Sequence, residues 1–480
     1  MGTPPIGSRW RLVLACAVAL ASSTFFAASA GPRHHEPPLW ASHCHPHSGY
    51  APGIAEDLLP WASTGITEAH MRSAIGNFSR SAHREATALP LLIKQGRLHV
   101  ARGYGFNGTT VWFAENLLTW VHALKRLTER WGPSVPDLEL VLLPDDSRTL
   151  GAADPRLWPG NNHWPVMKHC KSSQSLDITI PIWHLYQLWP TQEYFSKIED
   201  LNAKYPWEAR QAAAYGGGLR YHRCENLYDN EKAMEANVTK YTVHETSLFM
   251  VRERFAEYLQ SMVRRPDIAF NKGRPLEEWA AYCMAILIDG ISCSSKLWQL
   301  MALGSVVLRE QSIYYSFFDK RLRKWRRPAE ITWAVDWVRG NEEAARGIAA
   351  RAQAFVREQL SMQALECYWL MLLHQYARLL RFTPGSTRGV LEPGKAAKEQ
   401  SLRDSEGPGF YNPVDTWLEE EDLYGGLGGL FNWKRDYVRS YGKRLELLPA
   451  VDMHVGAAEA RGSTSASESA QEGAAGSRRD

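Results

Sequence analysis

Apolar residues Phe113, Leu117, Trp120, Leu124 and Leu127 recur at three- and four-residue intervals, which predicts an amphipathic helix over Val111–Trp131. Just before it, Leu91–Ala101 holds two short apolar runs on either side of Gln95-Gly96, the pattern of a β-hairpin. Leu138–Leu143 is apolar except for Glu139, short enough for a buried strand, and it stops at Pro144-Asp145-Asp146. Leu176–Ile182 predicts another strand, followed by an aromatic loop through Trp183, Tyr186 and Trp189-Pro190, whereas Pro37–Tyr50 reads as loop. Helices alternating with strands in this way predict an α/β domain.

The second half carries the clearest local signal. Met284–Ile288 reads as a strand, Asp289-Gly290 as a turn, and Ser294–Leu303 as a helix with serine at its N-cap and Gly304 as its stop. Ser305–Leu308 then reads as a second strand, which makes a βαβ unit. Phe249–Val263 predicts a helix upstream, and Asn341–Leu360 and Met362–Phe382 predict two long helices downstream. Ala345, Ile348, Ala352, Phe355 and Val356 give the first of these one apolar face. After Thr383-Pro384-Gly385 the composition changes, and 383–480 reads as a linker with an acidic, aromatic patch and a largely disordered tail.

A length of 480 residues predicts two domains, and 45% hydrophobic content excludes a mostly disordered chain. With 55 basic against 52 acidic residues, the net charge of +3 gives no electrostatic basis for nucleic-acid binding. Arg321–Arg327 reads as a solvated helix face. At the N-terminus, Arg9 and Arg11, the apolar run Leu12–Ala21 and Ala28-Ser29-Ala30 form a signal peptide over residues 1–30. An uncleaved anchor is the alternative, and Ser22, Ser23 and Thr24 interrupt the span that it needs. The sequons at Asn77, Asn107 and Asn237 agree with a lumenal destination, in the endoplasmic reticulum or Golgi or beyond by secretion. Cys16 leaves with the signal, so Cys44, Cys170, Cys224, Cys283, Cys293 and Cys367 remain, an even number compatible with fifteen disulfide pairings. His43-Cys44-His45-Pro46-His47 admits either a metal site or a half-cystine beside solvated histidines.

Ligands of open α/β sheets bind outside the carboxyl ends of the strands. Asp289-Gly290 through Lys296 lies at such an end and suits phosphate, or else is an ordinary βα turn. Asp145 and Asp146 end the other strand as a general base or an acidic turn, and Arg220 and Arg223 follow Gly216-Gly217-Gly218 as cations for a diphosphate or as a solvated loop. The zincin, nucleophile-elbow and P-loop patterns are all incomplete.

Ile288-Asp289-Gly290, Ser294, Leu297, Leu300, Leu303-Gly304-Ser305-Val306-Val307-Leu308 and Tyr314-Tyr315 together resemble the core of glycosyltransferase family 90, the capsule-associated protein and protein O-glucosyltransferase family. Cys367-Tyr368-Trp369, Pro181-x-Trp183, Asp137–Asp146 and Glu56-Asp57-Leu58 extend the resemblance over residues 44–382. It implies a GT-B fold, with Rossmann-like domains at 31–206 (acceptor) and 207–382 (donor) facing across a cleft. It further implies inverting, metal-independent transfer of glucose or xylose, with no cofactor, from UDP-glucose or UDP-xylose to a hydroxyl of a protein (Ser/Thr) or glycan. A non-catalytic binding member of the same fold is the alternative. By the same resemblance Asp146 is the base, and Gly217, Gly218, Arg220 and Arg223 with Asp289, Gly290, Ile291, Ser292, Cys293, Ser294, Ser295 and Lys296 hold the donor. Trp183 and Trp189 face the acceptor, and Cys44 pairs with Cys367. The chain departs from the family pattern in two places: Gly216-Gly217-Gly218-Leu219 replaces Phe-Arg-Gly-Ser, and Lys296 replaces an arginine.

Overall fold

The computed structural model describes residues 39–79, 88–101, 111–144, 164–172, 175–186, 188–219, 223–224, 248–249, 251–271, 275–310, 312, 314–322, 331–385 and 411–420. The signal segment, Asn107, Asn237, Asp145, Asp146 and Arg220 lie outside the described residues. The first half builds α1 (Leu39–Cys44), α2 (Ala51–Leu58), α3 (Glu68–Ser79), β1 (Leu89–Lys94), β2 (Arg97–Ala101) and α4 (Val111–Trp131). It continues with β3 (Leu138–Leu142), β4 (Val166–Lys168), β5 (Lys171–Ser172), β6 (Ile178–Thr179) and α5 (Leu188–Lys204). β1 pairs antiparallel with both β2 and β3, while β3, β4 and β6 run parallel. β3 is buried along its whole length, which explains why its sequence is a continuous apolar run rather than an alternating one. The predicted face of α4 is buried through Leu117, Trp120, Leu124 and Leu127, and the helix packs on β2.

The second half builds β7 (Gln211–Gly217), β8 (Arg223–Cys224), β9 (Leu248–Phe249), α6 (Val251–Tyr258), β10 (Ile268–Asn271), α7 (Leu276–Ala280) and β11 (Tyr282–Leu287). Then come α8 (Lys296–Ala302), β12 (Val306–Arg309), β13 (Tyr314–Tyr315), α9 (Ile331–Gly340), α10 (Glu342–Gln359) and α11 (Met362–Ala377). Four of these strands form an all-parallel sheet in the order β10-β7-β11-β12. The predicted βαβ unit is β11-α8-β12. Met284, Ile286, Val335 and Val338 belong to a small core serving this sheet. The larger core runs without a break from β1 and β3 through Trp279, Leu297 and Leu300 to α11. The molecule is therefore a mixed α/β protein with two main sheets.

Four local expectations change. Residues 39–50 are not loop: α1 and a 3-10 turn fold them against α11, and Cys44 is joined to Cys367 with their Cα atoms 5.2 Å apart. Tyr50 is buried there, edge-on to Tyr368 at 5.3 Å with the Arg321 guanidinium 4.6 Å from its ring centre, so aromatic packing orders a segment whose prolines and histidines read as loop. The disulfide also removes Cys44 as a thiolate ligand for the neighbouring histidines. The strand expected over Leu176–Ile182 pairs only at Ile178–Thr179. The helix expected over Phe249–Val263 begins at Val251, ends in a π-turn and is closed by Arg264 at φ 52°. Lastly, part of 383–480 is folded: β14 (Tyr411–Pro413) pairs with β2, and α12 (Val414–Glu420) follows it with Trp417 buried. β14 completes a six-stranded sheet in the order β14-β2-β1-β3-β4-β6.

Candidate functional site

β7 and β11 are the two central strands of the parallel sheet, and their carboxyl ends lie side by side. Glycine is required there for close approach. A Cβ on Gly216 would lie 2.5 Å from the Phe270 ring, and one on Gly218 would lie 2.8 Å from the Arg252 guanidinium. The space beside Gly218 lets Arg252 cross both strand ends. Its Nε and Nη2 donate to the Ile288 carbonyl at 3.1 and 3.0 Å, and its Nη1 donates to the Leu219 carbonyl at 2.9 Å. Arg252 had no signal in the sequence, because Arg-Glu-Arg on a helix reads as a solvated face.

Asp289 is buried, and its carboxylate builds the turn. Oδ1 accepts from the Ser294 amide at 2.9 Å, and Oδ2 pairs with Arg309 at 3.0 Å. Arg309 also pairs with Asp319, whose second oxygen accepts from the Ser316 amide at 2.6 Å. Burial alone would lower the Arg309 pKa, but Asp289 and Asp319 together hold it well above the usual value. A carboxylate committed on both oxygens orders the following residues rather than reaching out to a ligand. Gly290 donates to the Ser292 carbonyl at 3.1 Å, tightening the turn further. Helix α8 starts at Lys296, two residues inside the expected range Ser294–Leu303. Ser295 is the N-cap without a side-chain bond, while Ser294 Oγ takes the Lys296 amide at 3.4 Å.

Lys296 stands at the start of α8 with Nζ 5.3 Å from the Trp279 ring centre. Burial lowers its pKa, and the nearby positive charge of Arg252 lowers it further. Two cations that repel each other at adjacent strand ends gain from a shared anion, the arrangement suited to a diphosphate. Ile291 is exposed beside them, Ser292 is buried, and Cys293 is bonded to Cys170.

The other predicted residues are placed less directly. The backbone of Arg223 lies in β8, paired with Phe249, and that of Trp189 lies in α5, but their side chains are outside the described residues. Trp183 is only 2% exposed, enclosed edge-on by Trp120 at 5.5 Å and His169 at 4.4 Å. It opens the 3-10 turn that follows β6 and presents no open face.

A parallel sheet whose central strands end in a tight glycine turn beside two neighbouring cations is consistent with an α/β glycosyltransferase. The chain belongs to glycosyl transferase family 90, whose sequence model matches residues 41–401. It is 24% identical over 274 residues to an O-glucosyltransferase rumi homolog of Anopheles gambiae, a match covering 51% of this chain and 64% of that protein. It is 23% identical over 276 residues to Protein O-glucosyltransferase 1 of Homo sapiens, covering 52% and 66%. With O-glucosyltransferase rumi of Drosophila pseudoobscura pseudoobscura the identity is 22% over 362 residues, covering 70% and 78%. The chain thus spans slightly less than two thirds of the first of these relatives.

Proposed function

We propose that this protein is an inverting glycosyltransferase that moves glucose or xylose from a UDP-sugar to a hydroxyl of a protein or glycan in the secretory pathway, in the lumen of the endoplasmic reticulum or Golgi. The observation that carries the reading is the pair Lys296, at the start of α8, and Arg252, across the carboxyl ends of β7 and β11, in a chain whose relatives are named O-glucosyltransferases. In a GT-B arrangement the six-stranded sheet faces the parallel sheet across a cleft. The acceptor hydroxyl gives its proton to Asp146 and attacks the anomeric carbon from the face opposite UDP. The bond to the β-phosphate breaks as the new one forms, and the growing diphosphate charge is met by Lys296 and Arg252, by Arg220 or Arg223, and by the turn amides. No helix among the described residues is long and apolar enough to cross a membrane, which is compatible with a lumenal enzyme.

The test is hydrolysis and transfer with a panel of UDP-sugars on the purified chain. Activity is expected to survive EDTA, because protein cations carry the diphosphate charge. Loss on chelation and recovery with manganese would count decisively against this reading. Acceptor-independent hydrolysis of UDP-glucose or UDP-xylose alone would name the donor. The second reading, a non-catalytic binding member, draws on Gly216–Leu219 and Lys296, since lysine cannot make the planar bidentate phosphate contact of arginine. It predicts UDP binding without turnover.

Lys296 also sets a pH dependence. Its ammonium is disfavoured in the free protein, and a bound diphosphate favours it, so binding raises its pKa. The stabilisation is full below the free-protein value and is lost as pH rises through the bound-state value. UDP affinity should therefore weaken on the alkaline side, and Lys296→Ala should remove that slope. A titration at several pH values in which wild type and variant run parallel would rule this out.

A further inference from the structure

The turn that follows β11 is tied to more than its own sheet. Cys293, in the middle of it, is bonded to Cys170 from the first half of the chain, with Cα atoms 5.8 Å apart and a sequence separation of 123. The Cys293 amide also points at Cys170 Sγ, 3.0 Å away. Cys170 immediately precedes β5, and β5 pairs antiparallel with β13, Lys171 against Tyr315 and Ser172 against Tyr314. The Lys171 ammonium reaches Asp57 at 3.2 Å, and Lys320 reaches the same carboxylate oxygen at 2.9 Å.

These contacts close a circuit. From Cys293 it runs through the disulfide to Cys170 and Lys171, then across Asp57 to Lys320. Next to Lys320, Asp319 holds Arg309, Arg309 holds Asp289, and Asp289 takes the Ser294 amide, one residue from the starting point. The turn is thus held at two adjacent residues by separate partners. Asp289 holds it from its own sheet, and Cys170 holds it covalently from the other half of the molecule.

We propose that Cys170 and Cys293 are positioning residues for donor binding: their bond fixes Gly290–Lys296 against residues 170–172, so that the turn meets the diphosphate already in its binding conformation. This rests on the reading of that turn as the donor site. Without the bond the turn samples other conformations, and apparent affinity falls by the fraction that remains competent. A bridge that acts only through the conformation of the turn costs donor affinity and not the bound complex's turnover.

The experiment compares the full chain with Cys170→Ser/Cys293→Ser in three measurements: UDP binding by calorimetry, KM and kcat for UDP-sugar, and amide exchange. The expected result is roughly tenfold weaker UDP binding and a matching rise in KM, with kcat within about twofold. Exchange should rise across 290–296 and stay unchanged across β11. Unchanged UDP affinity, or unchanged exchange in the turn, overturns the proposal. Should the double variant not fold, dithiothreitol on the native chain supplies the same comparison. It gives two electrons and two protons to the disulfide, releasing two thiols, and leaves as its own cyclic disulfide. Cys293 is partly exposed while Cys44 and Cys367 are both buried, so peptide mapping should find Cys170 and Cys293 reduced with the other bridge intact. If the turn loosens but the native chain binds no UDP, the donor reading itself fails and takes this role with it.

Discussion

Replacing Asp57 with alanine is expected to destabilise the fold by about 3–5 kcal/mol, the cost of leaving a buried charge without its partner. Asp57 is 1% exposed, and it accepts Lys171 at 3.2 Å, Lys320 at 2.9 Å, the Thr179 amide at 3.0 Å and the Thr179 hydroxyl. Burial alone would raise its pKa, but Lys171 and Lys320 pull it below the usual carboxylate value. The loss falls mainly on Lys171, whose side chain is buried. Lys320 keeps Glu56 at 3.1 Å and is partly solvated. The pH dependence has a fixed sign. Because the folded pKa is depressed, the contribution is full above the unfolded-state pKa and disappears as pH falls through the folded value. Urea unfolding at neutral pH measures the effect. A loss below about 1 kcal/mol would mean that the cluster resembles an exposed ion pair in energy.

Asp146→Asn is expected to lower transfer by roughly 10²–10⁴-fold while UDP affinity stays nearly unchanged, the usual consequence of removing a general base. β3 ends at Leu142 beside its parallel neighbour β4, and Leu143 and Pro144 follow at the carboxyl ends of these two strands. On the proposed mechanism those ends face the acceptor, and the diphosphate lies on the parallel sheet. Asp145→Asn is the control. If it abolishes transfer and Asp146→Asn does not, the base is the earlier residue.

The legible parts of the fold are those specified within a few residues of each other. Gln95 and Gly96 both have positive φ, as a hairpin turn demands, and the 3.6-residue period of Val111–Trp131 emerges as α4. β11-α8-β12 was readable because strand, turn, helix and stop follow in order. What escaped is held over distance. Asp57 meets Lys171 across 114 residues and Lys320 across 263, and no local pattern marks such a triad. Arg252 and Arg309 carry no sequence signal of their own, because their partners Ile288, Leu219, Asp289 and Asp319 are set by the strand ends and the following turns. Trp183 is acceptor-facing by resemblance, and in the structure it is enclosed by Trp120 and His169. An aromatic after a strand suits a ligand face and a core equally, and only its neighbours decide. The Cys170–Cys293 pairing was one of many allowed by composition.

The pairing of β14 with β2 bears on where this protein can be cut. The family match ends at residue 401, yet the sheet's outer rung is residues 411–413, and Trp417 behind it is buried. A recombinant fragment ended at the family boundary would leave the Ala101, Val100 and His99 side of β2 with unsatisfied backbone groups, open to the same edge of a second molecule. An expression fragment therefore needs residues 411–420, and material stopped short of Tyr411 should be sought among soluble oligomers and inclusion bodies.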